Sequence, residues 1–285
     1  MRQSVSKAAY VCKYACKLVS AILLVVALLG LAGCNNENDS SSGVETLTVG
    51  ASPAPHARIL NFLTYEMYAA GINLVVVEYT DFVQPNTALA AGDIDANFFQ
   101  HRPFMEYFNE ENDASLVPVT GVLFLPQGLY PGQMDSLEDI ADGARIAIPS
   151  DPSNGGRALS LLCTAGLIVL TEDVCLDARL CDVIENPYNL EFVEVGAAQM
   201  PGVLDDVDFA IINGGVAMQA GIDFDTALIA ESGDCPAAEQ FTNYLVTRSD
   251  RENNEAIQRL AELLNSDMVR DFIENRYGGR VIPMF

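Results

Sequence analysis

One short stretch of the chain concentrates side chains that could do chemistry. Residues 92–103 (GDIDANFFQHRP) bring together two carboxylates, an amide, two phenylalanines, an arginine and one of only two histidines. The spacing of Asp93, Asp95 and Asn97 is similar to the start of a calcium loop, but the segment reads as a strand and the remaining loop ligands are missing. We therefore expect the two carboxylates to shape the start of a strand. The aromatic and histidine residues that follow suit the wall of a site.

A second stretch, residues 146–157 (IAIPSDPSNGGR), runs from a strand through a turn with two prolines into the start of a helix. Free backbone N–H groups at a helix start attract anions, and glycine lets a ligand approach closely. Arg157 lies in the first turn, where the helix dipole disfavours a cation, so it needs a partner. A ligand carboxylate and one of the chain's own acidic residues are equally good partners on physical grounds.

A third stretch, residues 210–215 (AIINGG), is an apolar strand that ends in Asn213 and two glycines. In open α/β sheets, ligands bind beyond the carboxyl ends of the strands. Asn213 and His101 follow such ends, and Asn243 stands where another strand begins. The alternative for each asparagine is a turn or cap residue, which is the commoner role.

The elements that position these residues alternate between strands and helices. Strands are predicted at 47–50, 73–79, 94–99, 116–124, 145–149, 193–195, 209–212 and 243–247. Helices are predicted from 56 towards 71 and at 85–91, 103–109, 135–141, 153–165 and 254–277. Short connections between strand, helix and strand indicate parallel sheets. The number of alternations favours an α/β fold over a sandwich or a helical bundle.

Residues 1–33 differ from the rest of the chain. Arg2 and three lysines precede an uncharged run from 18 to 30, which is followed by small residues and Cys34. This pattern predicts a secretory signal peptide, because the apolar core is too short for a comfortable membrane span. Leu-Ala-Gly-Cys resembles the lipobox of bacterial lipoproteins, in which the cysteine becomes the lipidated N-terminus. Residues 34–45 are polar and predict a flexible tether.

Charge and motifs exclude several function classes. Residues 34–285 carry 11 arginines, no lysine and 39 acidic residues, a formal charge of −28. A field of that sign repels nucleic acid and anionic lipid head groups, so we expect neither as a partner. The chain lacks a glycine-rich dinucleotide motif, a Walker loop and a Gly-x-Ser-x-Gly turn, and we expect no cofactor.

After the predicted signal peptide, four cysteines remain besides Cys34: Cys163, Cys175, Cys181 and Cys235. An exported chain meets oxidising conditions, so they predict two disulfides, with three connectivities open. A zinc site is the alternative, but the paired Cys-x-x-Cys spacing is missing.

Several blocks resemble, in order, the NlpA-type lipoprotein family, the substrate-binding lipoproteins of methionine ABC importers. They are 80–86 (TDFVQPN), 92–101 (GDIDANFFQH), 151–157 (DPSNGGR), 182–187 (DVIENP), 204–208 (LDDVD) and 212–214 (ING). The resemblance covers residues 46–285. It implies an α/β type II periplasmic binding protein fold, with two lobes joined by hinge strands and ligand between them. One lobe would comprise 46–125 and 240–285, and the other 126–239.

The resemblance also implies roles for individual residues. Arg157, helped by Asn154, would clamp the α-carboxylate of an amino acid, and Asn213 and Asn243 would hold its amino and carboxylate groups. An apolar wall for the thioether would comprise Phe82, Phe99 and His101. Sulfur packs well against aromatic rings. The expected protein partners are a permease and its ATPase. The lipid on Cys34 would anchor the protein to a membrane, on the side that faces the periplasm or the cell exterior.

Departures from the family pattern leave the ligand open. The body lacks lysine, residues 214–216 are Gly-Gly-Val, and 239–242 (EQFT) precede Asn243. The candidates are L-methionine, its D-isomer, its sulfoxide and a methionine-containing dipeptide. Two other classes remain as alternatives. One is a secreted hydrolase that uses Asp93 and Asp95, for which no activated nucleophile or metal set is present. The other is an adhesin-like or signalling lipoprotein that kept the fold and lost transport.

Overall fold

The computed structural model describes residues 44–138, 140–172, 174 and 177–285. The predicted signal peptide 1–33, Cys34 and nearly all of the tether 34–45 therefore lie outside the described residues. Among those described, no helix is both long enough and apolar enough to cross a bilayer.

A first, six-stranded sheet has the strand order β2-β1-β3-β12-β4-β13. β1, β2 and β3 are parallel, and β12 lies antiparallel between β3 and β4. The strands are β1 Glu45–Ala51, β2 Ile72–Glu78, β3 Ala96–His101, β4 Leu116–Phe124, β12 Asn243–Arg248 and β13 Ile282–Pro283.

A second, five-stranded sheet has the order β9-β6-β10-β5-β11. Its strands are β5 Gln127–Pro131, β6 Arg145–Pro149, β9 Glu191–Val195, β10 Phe209–Asn213 and β11 Ile229–Ala230. β9, β6 and β10 are parallel, and β5 is antiparallel to β10. A two-stranded pair, β7 Val169–Leu170 with β8 Val183–Glu185, completes the strands among the described residues.

The two sheets repeat one plan. In each sheet, the first of the three parallel strands along the chain lies between the second and the third. The third then pairs with an antiparallel strand, which is β12 in the first sheet and β5 in the second. The chain leaves the first sheet after β4, enters the second at β5, and returns through the segment between β11 and β12. Two chain crossings thus connect two α/β units.

Nine α-helices are described. They are α1 Arg58–Phe62, α2 Thr64–Ala69, α3 Gln84–Ala91, α4 Arg102–Asn112, α5 Pro152–Thr164, α6 Gly214–Ala220, α7 Pro236–Gln240, α8 Glu255–Leu264 and α9 Asp267–Tyr277. Apolar faces of α1, α8 and α9 pack on the first sheet, where Leu60, Leu260 and Ile273 are fully buried. α5 packs on the second sheet through Leu159 and Leu162. Burial of each such side chain contributes about 1.5–3 kcal/mol.

Two of the helix predictions are wrong. No helix forms across 135–141 in the described residues; instead the Ser136 hydroxyl accepts a hydrogen bond from the Glu138 backbone N–H in a local turn, which competes with helix formation. The single helix predicted over 254–277 is two, α8 and α9. Ser266 between them has an extended backbone, and its hydroxyl donates to the Leu263 carbonyl.

The predicted disulfides are absent from the described part of the chain, where Cys163, Cys181 and Cys235 are free. Cys163 packs against the core of the second sheet, whereas Cys235 packs in a separate cluster around Phe124. The fold thus holds these two thiols in different cores. Cys175 lies outside the described residues.

Candidate functional site

One cavity is lined by residues from both sheets. It encloses about 460 Å³ of empty space, part of it open to solvent. All seven candidate site residues line it: Phe82, Phe99, His101, Asn154, Arg157, Asn213 and Asn243. The structure therefore brings together side chains that are distant in the sequence.

The ends of strands explain this convergence. His101 is the last residue of β3 and Asn213 is the last of β10. β12 runs antiparallel to β3, so its first residue, Asn243, pairs with His101. Asn154 and Arg157 enter from the first turns of α5, directly after β6. Both sheets thus present strand ends to one cavity, as open α/β sheets do.

Asn154 is the centre of a buried hydrogen-bond network. Its Nδ2 donates to both oxygens of Asp151, the N-cap residue of α5, at 2.9 and 3.0 Å. This fixes the amide so that Oδ1 faces the other way and accepts from Nδ2 of Asn213 at 2.6 Å. The same oxygen lies 3.1 Å from Nε2 of His101. One asparagine therefore joins the first sheet to the second.

His101 is neutral in this setting. Its Nδ1 accepts from the Phe104 backbone N–H at 3.2 Å and caps the N-terminus of α4. Nε2 therefore carries the proton and donates to Asn154. Burial lowers the His101 pKa to about 3, with a further lowering from the charge of Arg157. A neutral ring that is held at both nitrogens serves as a rigid wall.

The second histidine, His56, also lines the cavity. Its Nε2 lies 2.9 Å from Oδ1 of Asn243, whose Nδ2 donates to the Phe241 carbonyl. Nε2 of His56 is therefore the protonated nitrogen. Burial lowers the His56 pKa to about 4, so Nδ1 is an acceptor at neutral pH. That atom is buried and has no partner among the described residues.

Arg157 is 2% exposed and pairs with Glu231. Its Nε lies 2.9 Å from Oε1 of Glu231, and its Nη2 bonds both Glu231 and the Leu125 carbonyl. Phe124 and Phe241 pack against the guanidinium, with ring centroids 5.1 and 4.6 Å from Cζ. Of the two partners considered for Arg157 from the sequence, the structure therefore shows one of the chain's own acidic residues. Among the described residues, nothing accepts from its remaining nitrogen, Nη1.

An aromatic cluster forms another wall of the cavity. The ring of Phe82 lies 6.0 Å from that of Phe99 and 6.1 Å from that of Phe104. Phe99 and Phe104 meet edge-to-face at 6.1 Å. These distances are typical of favourable aromatic pairs. The wall offers π faces and ring edges but no charge.

The cavity can therefore hold a small zwitterion. Oδ1 of Asn213, like Nδ1 of His56, is a buried acceptor without a partner among the described residues, and both suit an ammonium group. The free edge of Arg157 suits a carboxylate. Because Glu231 already balances the arginine, a ligand without net charge fits better than an anion.

Sequence reasoning missed several residues of the site. No sequence pattern indicated Glu231, because it follows β11, a strand of only two residues that is too short to show a hydrophobic periodicity. His56 could have been found, since it comes shortly after the carboxyl end of β1, where the strand-end rule applies. Others are Ser52, Gln100, Phe104, Leu125, Gly215, Val216 and Gln219.

The carboxylates of the first stretch act outside the cavity. Asp95 accepts from the Thr48 backbone N–H at 2.8 Å and pairs with Arg251 at 3.2 Å, which ties β1 to the start of β3. Asn97 is fully buried and donates to Oδ1 of Asn86. Among the described residues, no cluster of three or more His, Cys, Asp or Glu side chains is arranged to hold a metal ion.

Comparison with known proteins agrees with the fold. The NlpA lipoprotein family matches residues 47–285. The D-methionine-binding lipoprotein MetQ of Salmonella typhi is 32% identical over 93% of this chain and 97% of its own length.

Two solved structures are similar throughout the body of the chain. One is an ABC transporter periplasmic substrate-binding protein from Coxiella burnetii, with TM-score 0.77, 33% identity, and coverage of 84% of this chain and 100% of that one. The other is a nutrient binding protein from Burkholderia cenocepacia bound to methionine, with TM-score 0.78, 33% identity and the same coverage. The predicted two-lobed periplasmic binding protein fold is confirmed. The chain belongs to the NlpA lipoprotein family.

Proposed function

We propose that this protein is the substrate-binding lipoprotein of an ABC importer, which captures methionine between its two lobes and delivers it to a membrane permease. The observation that carries this is the cavity itself. It combines a buried guanidinium with a free edge, two unpartnered acceptors and an aromatic wall. A methionine-bound relative and a relative named for D-methionine binding support the same ligand class.

The proposed roles follow from the contacts. Nη1 of Arg157 binds the α-carboxylate, while Glu231 and the Leu125 carbonyl hold the rest of the guanidinium in place. Oδ1 of Asn213 accepts from the α-ammonium, and Nδ1 of His56 is a second acceptor for it. Asn154 holds His101 and Asn213 in place by hydrogen bonds, and Asn243 holds His56 in the same way. The thioether packs against Phe82 and Phe99.

The remaining assignments belong to the same proposal. Residues 1–33 are the signal peptide, Cys34 carries the lipid that holds the protein at the membrane, and 34–45 is the tether. The lobes are 46–125 with 240–285, and 126–239. The permease and its ATPase are the partners. The role proposed is binding and transport and not catalysis, as the names of the relatives indicate for those proteins.

Isothermal titration calorimetry against a panel of ligands tests the function. We expect L-methionine, or its D-isomer, to bind, norleucine to bind more weakly because it lacks sulfur, and glutamate to fail because it adds a second negative charge. Methionine sulfoxide and a methionine dipeptide complete the panel and distinguish the remaining ligand candidates. Binding of none of the methionine compounds would refute the proposal, as would equal affinity for glutamate.

A further inference from the structure

A second cavity lies against a different face of helix α6. Gly214, Ala217 and Met218 line it, whereas Gly215 and Val216 line the first cavity. It encloses about 730 Å³ of empty space, part of it open to solvent. None of the seven candidate site residues contributes to it.

Positive charge is concentrated at this cavity. Arg58, Arg276 and Arg280 line it. Acidic residues outnumber arginines more than three to one in this chain, yet neither Arg58 nor Arg276 has an ion-pair partner among the described residues. Arg280 is different, because Asp223 and Asp225 hold it at 3.2 and 2.7 Å. Two uncompensated guanidiniums therefore remain for a ligand.

Two buried hydroxyls accompany the arginines. Tyr130 is 1% exposed and Tyr277 is 8% exposed, and both line the cavity. The Tyr130 hydroxyl has no hydrogen-bond partner in the described part of the chain. The Tyr277 hydroxyl lies within reach of the Arg58 and Arg276 guanidiniums, which are donors, so its own proton has no acceptor there. Burial raises the pKa of Tyr130 to about 12, and it also raises the pKa of Tyr277, against the lowering effect of the charges and hydrogen bonds of Arg58 and Arg276. Both hydroxyls therefore keep their proton at neutral pH and can donate it to an acceptor oxygen.

The rest of the lining is apolar. Ala217, Met218, Ile222 and Phe224 supply it. A bare inorganic anion would leave these side chains without contacts. A purely apolar ligand would leave the two guanidiniums without a hydrogen-bond acceptor. The chemistry of the lining calls for a ligand with one anionic end and a short apolar body.

We propose that this second cavity binds a small organic acid. Arg58 and Arg276 hold its carboxylate, and Tyr277 donates a hydrogen bond to it. The aliphatic body packs against Met218, Ile222 and Phe224. The site is separate from the proposed methionine site and does not depend on that assignment.

Calorimetry with isovalerate tests the proposal on the folded chain without methionine. We expect isovalerate to bind, while isovaleramide, which has the same shape without the charge, binds at least ~10-fold more weakly, because hydrogen bonds between charged groups are stronger. Inorganic phosphate is expected to bind more weakly than isovalerate because it has no apolar body. Saturating methionine should leave isovalerate binding in place, which separates this cavity from the first.

Variants locate the site. Arg58→Gln with Arg276→Gln should abolish isovalerate binding, and both side chains are exposed, so folding is expected to persist. Tyr277→Phe removes a hydroxyl whose proton has no acceptor among the described residues and should weaken binding several-fold. Arg102→Gln with Arg259→Gln, an equal change of charge at two exposed arginines outside this cavity, is the matched control and should bind isovalerate normally. No binding of isovalerate, equal binding of the amide, displacement by methionine, or normal binding by the double variant would each overturn the proposal.

Discussion

At the scale of single residues, the first cavity combines a buried ion pair with two uncharged histidines. Arg157 and Glu231 are 2% and 6% exposed and form a neutral pair. His101 and His56 remain uncharged because the buried imidazolium would lack solvation. The cavity therefore has no net charge from these residues. It offers neutral histidine rings held by hydrogen bonds and a guanidinium that is already paired with Glu231, which suits a zwitterionic ligand.

The ion pair and the ligand contact of Arg157 can be separated by substitution. Arg157→Gln should lower the free energy of unfolding by about 3–5 kcal/mol, because it leaves the Glu231 carboxylate buried and unpaired. Arg157→Met with Glu231→Leu removes both charges and should restore most of that stability, since an apolar pair avoids the desolvation cost. Urea denaturation measures both variants. The double variant should nevertheless fail to bind methionine in calorimetry, and normal binding by it would contradict the role given to Arg157.

Histidine burial makes stability depend on pH. The folded pKa of His101, about 3, lies below the usual value of 6.5. Between those values the unfolded chain binds a proton that the folded chain does not, so the free energy of unfolding falls as pH falls. The slope is about 1.4 kcal/mol per pH unit for each such histidine.

His101→Asn tests this coupling, because asparagine can still cap α4. Urea denaturation between about pH 5 and pH 6 should show a slope lower than that of the unsubstituted protein by about 1.4 kcal/mol per pH unit. An unchanged slope would mean that His101 is protonated in the folded protein.

At the scale of elements, the site depends on how tightly the start of α5 packs against the end of β6. A Cβ on Gly155 would lie 2.8 Å from the Pro149 carbonyl oxygen, a backbone atom that cannot turn aside. Asn154 and Arg157 stand on either side of Gly155 in the same helix. Glycine here allows the close approach that brings both side chains to the cavity.

Gly155→Ala should therefore displace the first turn of α5. We expect a loss of about 1–3 kcal/mol in the free energy of unfolding, together with weaker methionine binding by calorimetry. Gly202→Ala is the matched control, because its Cβ would meet nothing within 4 Å. It should change stability by less than about 0.5 kcal/mol. Equal effects of the two substitutions would rule out the packing argument.

At the scale of the whole molecule, negative charge strongly exceeds positive charge. The full chain has a formal net charge of −24. Such self-repulsion disfavours the compact state and is screened by salt. The buried pair of Arg157 and Glu231 is screened much less.

Melting temperature should therefore rise as salt is added from about 0.01 M to about 0.5 M, over which the screening length shortens several-fold. Circular dichroism follows unfolding, since the chain contains no tryptophan for fluorescence. Sodium chloride and choline chloride should act alike if screening is the cause. A fall in melting temperature would show that surface ion pairs outweigh the repulsion.

The amino-acid sequence alone was enough to predict the alternation of strands and helices, since the periodicity of apolar residues and the placement of glycine and proline are local properties. It located β4 at 116–124 and placed Asn213 and Asn243 at strand ends. Family resemblance then named the seven residues that line one cavity. Local signals were insufficient at 135–141, where a serine turn replaces a helix, and at Ser266, where one helix becomes two.

Which functional groups come into contact depends on the folded structure. Glu231 and Arg157 are 74 positions apart, and no local pattern connects them. The shared oxygen of Asn154, the unpartnered acceptors of His56 and Asn213, and the gathering of Arg58, Arg276 and Tyr277 at a second cavity depend on how two sheets pack. Charge state follows burial, and burial is a property of the folded chain as a whole.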